Sequence, residues 1–283
     1  MLRIAKVAGK KRRAVWRTRP ACWRCVESCA ANPSRVLALR GGFYVEKGLN
    51  VAKGLNAAKV GVIFDCDGTL IDSMQAWRNL EGELGRRAGA KLTSEDRIKL
   101  TTLNIPESAQ YFHDRFDLGS SGADVVEMMN EIMLEFYRNR AEARPGVLAF
   151  MEALAKRDVV MSVASSSPQK YLQAGLACAG IAPYVKAIVS VEDVHSNKRE
   201  PKVYRYTRER MGTPLETTWG FEDAVYAIRT LAQAGFGTVG VYDHDIAGTW
   251  EQLTAEADFA IRSFEELDAD AFLEAVAARA GRA

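Results

Sequence analysis

The chain has 283 residues, 48% of them hydrophobic and 26% charged, enough for one large domain or for a core carrying a smaller inserted one. Its net charge of +2 is unevenly divided: residues 1–40 hold eleven bases and one acid, giving +10, and the remainder holds 27 bases and 35 acids, giving −8. That acidic remainder argues against a nucleic-acid surface on it. No run reaches the roughly 18 apolar residues of a bilayer span, the N-terminus lacks the apolar stretch of a secretory signal, and three of the five cysteines bunch at Cys22, Cys25 and Cys29. The reducing cytoplasm is therefore the expected compartment.

Residues 1–58 read as a basic, poorly ordered extension. They carry Lys10-Lys-Arg-Arg13 with Trp16 and Trp23, a candidate contact for RNA or an acidic partner, and a repeated hexapeptide, Lys47-Gly-Leu-Asn-Val-Ala52 then Lys53-Gly-Leu-Asn-Ala-Ala58. The three clustered cysteines have no nearby histidine to supply the fourth ligand that a structural zinc needs.

The first strand is expected at Lys59-Val-Gly-Val-Ile-Phe64, a nearly continuous apolar run of the kind buried on both faces. From Met74 to about Tyr137 the apolar spacing is helical, as in Trp77, Leu80, Leu84 and Ala88, so residues 74–140 are predicted as a helical insert, with Pro106 starting a new helix inside it. After Arg144-Pro-Gly146 the pattern alternates: helix 147–156, strand 158–164, helix 168–179, strand 186–190, helix 201–211, strand 217–222, helix 224–234 and strand 237–242. Such winding predicts an α/β fold with a doubly wound parallel sheet, its core formed by residues 59–73 and 141–283. Ligands in such sheets sit beyond the carboxyl ends of the strands, which makes polar residues at strand ends the candidates.

Four segments fall there. Asp65-Cys-Asp67-Gly68-Thr69 places two carboxylates two residues apart directly after a buried run, where mutual repulsion and desolvation call for a cation; magnesium, with its preference for carboxylate oxygens, meets the need. Val163-Ala-Ser165-Ser-Ser167-Pro168 ends the next strand, with Ser167 and Pro168 suited to start a helix. Asn197-Lys198-Arg-Glu-Pro201-Lys202-Val-Tyr204 places a lysine in a charged loop, and Phe221-Glu222-Asp223 puts two acids after an apolar stretch, where Asp223 could also cap a helix.

Asp65-x-Asp67-Gly68-Thr69 after a hydrophobic strand resembles the first motif of the haloacid dehalogenase superfamily, in its subfamily with a helical cap that includes phosphoglycolate phosphatases and β-phosphoglucomutases. The resemblance spans about residues 59–265 and implies an aspartyl-phosphate formed on Asp65, with Asp67 as general acid and base. It further implies phosphoryl contacts from Ser165 and from Lys198, chosen over Lys202 because it lies three residues before Pro201. Magnesium would be held by Asp65, the main-chain oxygen of Asp67 and Asp223, with Glu222 behind them. Arg199 stands where the family usually has proline, and Ala224 and Ala227 where it has serine and glycine.

The insert then corresponds to the cap, Asp72 and Ser73 to its entry, and His113 and Arg115 to candidate contacts for a second anionic group. Trp77 stands where sugar-phosphate mutases of the family usually carry histidine, which favours a phosphatase acting on a small phosphomonoester. The alternatives are a mutase of the same family and, from another class, an inactive binding protein acting through its basic extension.

Overall fold

The computed structural model describes residues 59–100, 103–243 and 247–281. The basic extension, its hexapeptide repeat and its cysteine cluster lie outside these residues. Six parallel strands form one sheet: β1 (Gly61–Phe64), β2 (Val160–Ser165), β3 (Ile188–Ser190), β4 (Thr218–Glu222), β5 (Gly237–Val241) and β6 (Phe259–Ile261). Their spatial order is β3-β2-β1-β4-β5-β6. The strand that reads as the most continuous apolar run is therefore central, with Phe64 paired to Val163 on one side and to Phe221 on the other.

Alternation along β1 sends Val62 and Phe64 to one face and Ile63 to the other. Beneath the first face, α5 (Val147–Ala155) and α10 (Ala269–Ala280) bring Phe150 and Phe272 against Phe221, at ring separations of 5.9 and 5.6 Å. Phe264 stacks on Phe221 at 5.8 Å and 14°. Each such ring removed from water contributes about 2–3 kcal/mol, which makes this aromatic group the main apolar anchor of the sheet. On the other face, α7 (Lys202–Met211) and α8 (Val225–Gln233) bury Val203, Tyr204, Met211 and Leu231 with Ile63. Gly237 leaves room for the Trp219 indole, since a Cβ there would lie 2.2 Å from the ring.

Between β1 and α5 come four helices: α1 (Met74–Arg87), α2 (Ser94–Leu100), α3 (Ile105–Phe116) and α4 (Gly122–Asn139). The two crossings between these helices and the sheet run side by side: Ile71 bridges Ala143, the Asp72 amide donates to the Glu142 carbonyl at 3.1 Å, and that of Arg144 to the Leu70 carbonyl at 2.9 Å. Asn104 caps α3 in a reciprocal box with Glu107, and Pro106 occupies its first turn, where a missing N–H leaves no bond unmade. α4 lies against α6 (Gln169–Cys178), where Tyr137 stacks on Tyr171 at 5.2 Å and 20° and the Tyr171 hydroxyl donates to Asn130 Oδ1 at 2.7 Å.

β6, α9 (Trp250–Glu256) and α10 add to the elements expected from sequence. A three-residue strand is too short to display a period, and α10 is built largely of alanine around Phe272 and Val276, so its buried face is faint in the sequence.

His113 and Arg115 are both engaged within the insert. His113 Nδ1 lies 3.1 Å from the Leu118 carbonyl oxygen, and Arg115 Nε donates to Asp96 at 2.6 Å. Asp96, 1% exposed, also accepts from the Tyr111 hydroxyl at 2.5 Å and from the Thr93 amide and hydroxyl at 2.8 and 2.7 Å. These donors, Tyr111 foremost, hold its carboxyl well below the usual range. A folded-state value below the ordinary 3.8 means that the stabilisation is complete above that pH and is lost as pH falls through the lower folded value. Asp96→Asn should accordingly lower the melting temperature by about 5 °C at neutral pH, and melting curves taken across acidic pH should show the gap to wild type narrowing below 3.8.

Candidate active site

Asp65 leaves the central strand with its amide donating to the Phe221 carbonyl at 2.9 Å, which fixes it beside the end of β4, where Glu222 and Asp223 follow. Carboxylate oxygens of Asp65, Glu222 and Asp223 all lie within 4.8 Å of one another, and all three residues are buried. Lys198 enters from the loop before α7, 4% exposed, and its ammonium touches Asp65 Oδ1 and lies 2.7 Å from Glu222 Oε1. Lys202 is exposed. The Tyr204 hydroxyl adds a second donor to Glu222 Oε1 at 2.7 Å. The Lys-x-x-Pro-x-x-Tyr spacing thus brings both its lysine and its tyrosine to one carboxylate across the sheet edge.

The electrostatics follow from three carboxyl groups that, among the described residues, share one buried cation, Lys198. Burial pulls against the Lys198 ammonium, but Asp65 and Glu222 outweigh it and raise its proton affinity, so it stays charged. Burial pushes Asp65 up, opposed by Lys198, and pushes Glu222 up to about 8. Asp223 is pushed well above the carboxylate range, by burial first and then by the charges of Asp65 and Glu222, with Lys198 opposing. One ammonium leaves this group short of positive charge.

Two further observations fit a divalent cation there. Glu222 Oε2 is buried with no hydrogen-bond partner among the described residues, and Gly68, at φ +78°, takes a conformation in which a Cβ would lie 2.7 Å from Asp223 Oδ2. Oxygen donors of this number and charge suit magnesium.

The Asp67 carboxylate is bonded to three hydroxyls instead. Its Oδ1 accepts from Ser73 Oγ at 2.6 Å and from the Tyr137 hydroxyl at 2.5 Å, and its Oδ2 from Ser167 Oγ at 2.6 Å. Ser167 therefore does not cap α6, whose N-cap is Pro168, and Asp223 does not cap α8, whose N-cap is Ala224. Ser73, at the N-cap of α1, likewise makes no cap bond. Ser165, 1% exposed at the tip of β2, accepts the Ser167 amide at 3.1 Å.

Arg144 and Tyr137 carry no motif in the sequence and emerge only here. The Arg144 guanidinium reaches the Gly68 carbonyl, Asp243 Oδ1 at 3.0 Å and the Tyr242 carbonyl at 2.9 Å, which ties the return crossing from the insert to the loop bearing Asp65 and Asp67. Arg199, in place of a proline, lays its guanidinium 4.5 Å from the Tyr226 ring centroid.

Removing the buried ammonium leaves its carboxylates facing one another without a protein cation. Lys198→Met is expected to lose about 3–5 kcal/mol of unfolding free energy, measured by chemical denaturation in chelator, with added magnesium restoring part of the loss.

The sequence profile of haloacid dehalogenase-like hydrolases matches residues 62–241. Fructose-1-phosphate phosphatase YqaB of Escherichia coli is 27% identical over 64% of this chain and 95% of its own length. A phosphorylated carbohydrates phosphatase of Thermotoga maritima is 21% identical over 62% and 81%. Among solved structures, CbbY of Rhodobacter sphaeroides in complex with phosphate shares the fold, with a TM-score of 0.64 at 20% identity, covering 74% of this chain and 96% of that one. With more than half its length matched by the profile, and with Asp65, Glu222 and Asp223 of that span gathered at one sheet edge, the chain belongs to the haloacid dehalogenase-like hydrolases.

Proposed function

We propose that this protein is a magnesium-dependent phosphatase that hydrolyses a small phosphomonoester, of the sugar phosphate or phosphoglycolate type, through an aspartyl-phosphate on Asp65. The observation that carries the reading is the Lys198 ammonium held between Asp65 and Glu222, with Asp223 in the same buried group. Asp65, the main-chain oxygen of Asp67 and Asp223 would hold the ion, with Glu222 behind them. Magnesium supplies charge neutralisation that lowers the repulsion between a dianionic ester and a carboxylate.

The remaining steps belong to the chain's own residues. A carboxylate oxygen of Asp65 attacks phosphorus, while Lys198 and Ser165 hold phosphoryl oxygens. Asp67 gives a proton to the departing alkoxide and later takes one from the water that releases phosphate. The helices of residues 74–140 act as a cap that excludes bulk water in the first step and reopens for exchange. Trp77, packed 6.2 Å from Tyr171, holds the place of the mutase histidine and supports hydrolysis over transfer. The named activities of the Escherichia coli and Thermotoga maritima relatives support a phosphorylated sugar as substrate. No helix among the described residues is long and apolar enough to cross a membrane.

Turnover of p-nitrophenyl phosphate tests this reading. Magnesium should be required, EDTA should abolish the rate, and Asp65→Asn should lower kcat at least about 1,000-fold. Equal rates for wild type and Asp65→Asn, or indifference to EDTA, would overturn it. A panel of sugar phosphates and phosphoglycolate then identifies the substrate by kcat/KM.

A further inference from the structure

The three hydroxyls around Asp67 are not equivalent, and one of them comes from the insert. An ionised carboxylate offers about four acceptor directions, two on each oxygen. Oδ1 already receives two donors, Ser73 and Tyr137, and Oδ2 receives one, Ser167. Among the described residues, then, Oδ1 is filled and Oδ2 keeps one direction open. Rotation of the carboxylate about its Cβ–Cγ bond would break all three bonds together.

Tyr137 is the member whose direction is most firmly set. It sits in the last turn of α4, 0% exposed, with its ring stacked on Tyr171 and set edge-on to Phe136 at 5.2 Å. A serine hydroxyl swings with one torsion, whereas a phenol clamped between rings has its oxygen placed by the packing. The core makes room for this ring: Gly175, in the interior of α6, faces it, and a Cβ there would lie 2.7 Å from Tyr137 Cδ1 and 3.1 Å from Ile71 Cδ1. Glycine inside a helix is unfavourable, and at Gly175 it gives the Tyr137 ring its space.

We propose that Tyr137 is a positioning residue, supplied by the insert, that fixes Asp67 so that Oδ2 is the atom that carries the transferred proton. The inference rests on the reading of Asp67 as proton donor and acceptor. In the first step the Asp65 oxygen bonds phosphorus, the ester P–O bond breaks, and the proton on Oδ2 passes to the leaving alkoxide. In the second, water oxygen bonds phosphorus, the Asp65 O–P bond breaks, and the water proton returns to Oδ2. Asp65 and Asp67 then regain their starting forms, with alcohol and phosphate as products.

The test uses the dependence on leaving group. An alkoxide needs protonation as it departs and p-nitrophenolate does not, so kcat/KM is measured for a simple alkyl phosphate and for p-nitrophenyl phosphate. Tyr137→Phe keeps the ring and should lower the alkyl value about 10-fold more than the aryl value. Gly175→Ala keeps every hydroxyl but crowds the ring, and should shift the ratio the same way. In an Asp67→Asn background Tyr137→Phe should add no further loss on the alkyl ester. Equal losses on the two esters, no loss on either, or a fully multiplicative loss in the double variant would overturn the role of Tyr137. If Asp67→Asn alone left the ratio unchanged, the underlying reading of Asp67 would fall instead.

Discussion

Lys198 stands where the buried Asp65, Glu222 and Asp223 converge, and its ammonium bridges the first two. Buried like charges are tolerated only when a counter-charge is fixed among them, so the end of β1, the end of β4 and the loop before α7 must be built together. The Tyr204 hydroxyl on Glu222 extends the same constraint into α7. One ammonium only partly offsets three carboxylates. The remaining imbalance, with Glu222 Oε2 lacking a hydrogen-bond partner among the described residues, makes the group a receptive place for a hard divalent ion.

The sheet supplies the precision this requires. Parallel pairing of β1 with both β2 and β4 fixes the strand ends relative to one another through main-chain bonds, so Asp65, Ser165 and Glu222 are placed by register rather than by flexible loops. The aromatic group under Phe64 and Phe221 holds that register from below. Gly68 then lets the chain turn past Asp223 where any side chain would collide with it.

Coupling between insert and core runs through the loop of Asp65 and Asp67. The paired crossings at residues 70–72 and 142–144 act as a two-stranded tether. Arg144 on one crossing grips the Gly68 carbonyl, and Ser73 beside the other donates to Asp67. With Tyr137 on the same carboxylate, both ends of the insert touch the loop that bears Asp65 and Asp67. A displacement of the helices therefore changes the surroundings of Asp67 directly.

Much of this was legible in the residues alone. Apolar runs alternating with helical spacing placed five strands, because burial on both faces leaves no polar position to confuse the pattern; Asp65, Ser165 and Asp223 stood out as polar residues at the ends of such runs, whereas Lys198 lay in a charged loop and was marked only by its spacing to Pro201 in the family motif. β6 and α10 escaped because a three-residue strand and an alanine-rich helix show little periodicity. Local chemistry misassigned Ser167 and allowed Asp223 as caps, since a short polar side chain before a helix looks the same whether it bonds its own backbone or a distant carboxylate. The sequence by itself determined the strand pattern and the residue types at the strand ends, because these depend on neighbours in the chain. Only the tertiary structure decided that Tyr137 reaches Asp67 across 70 residues, that Arg144 grips the Gly68 carbonyl, and that Arg115 is bound to Asp96, because each depends on which helix faces lie against one another after the chain has closed.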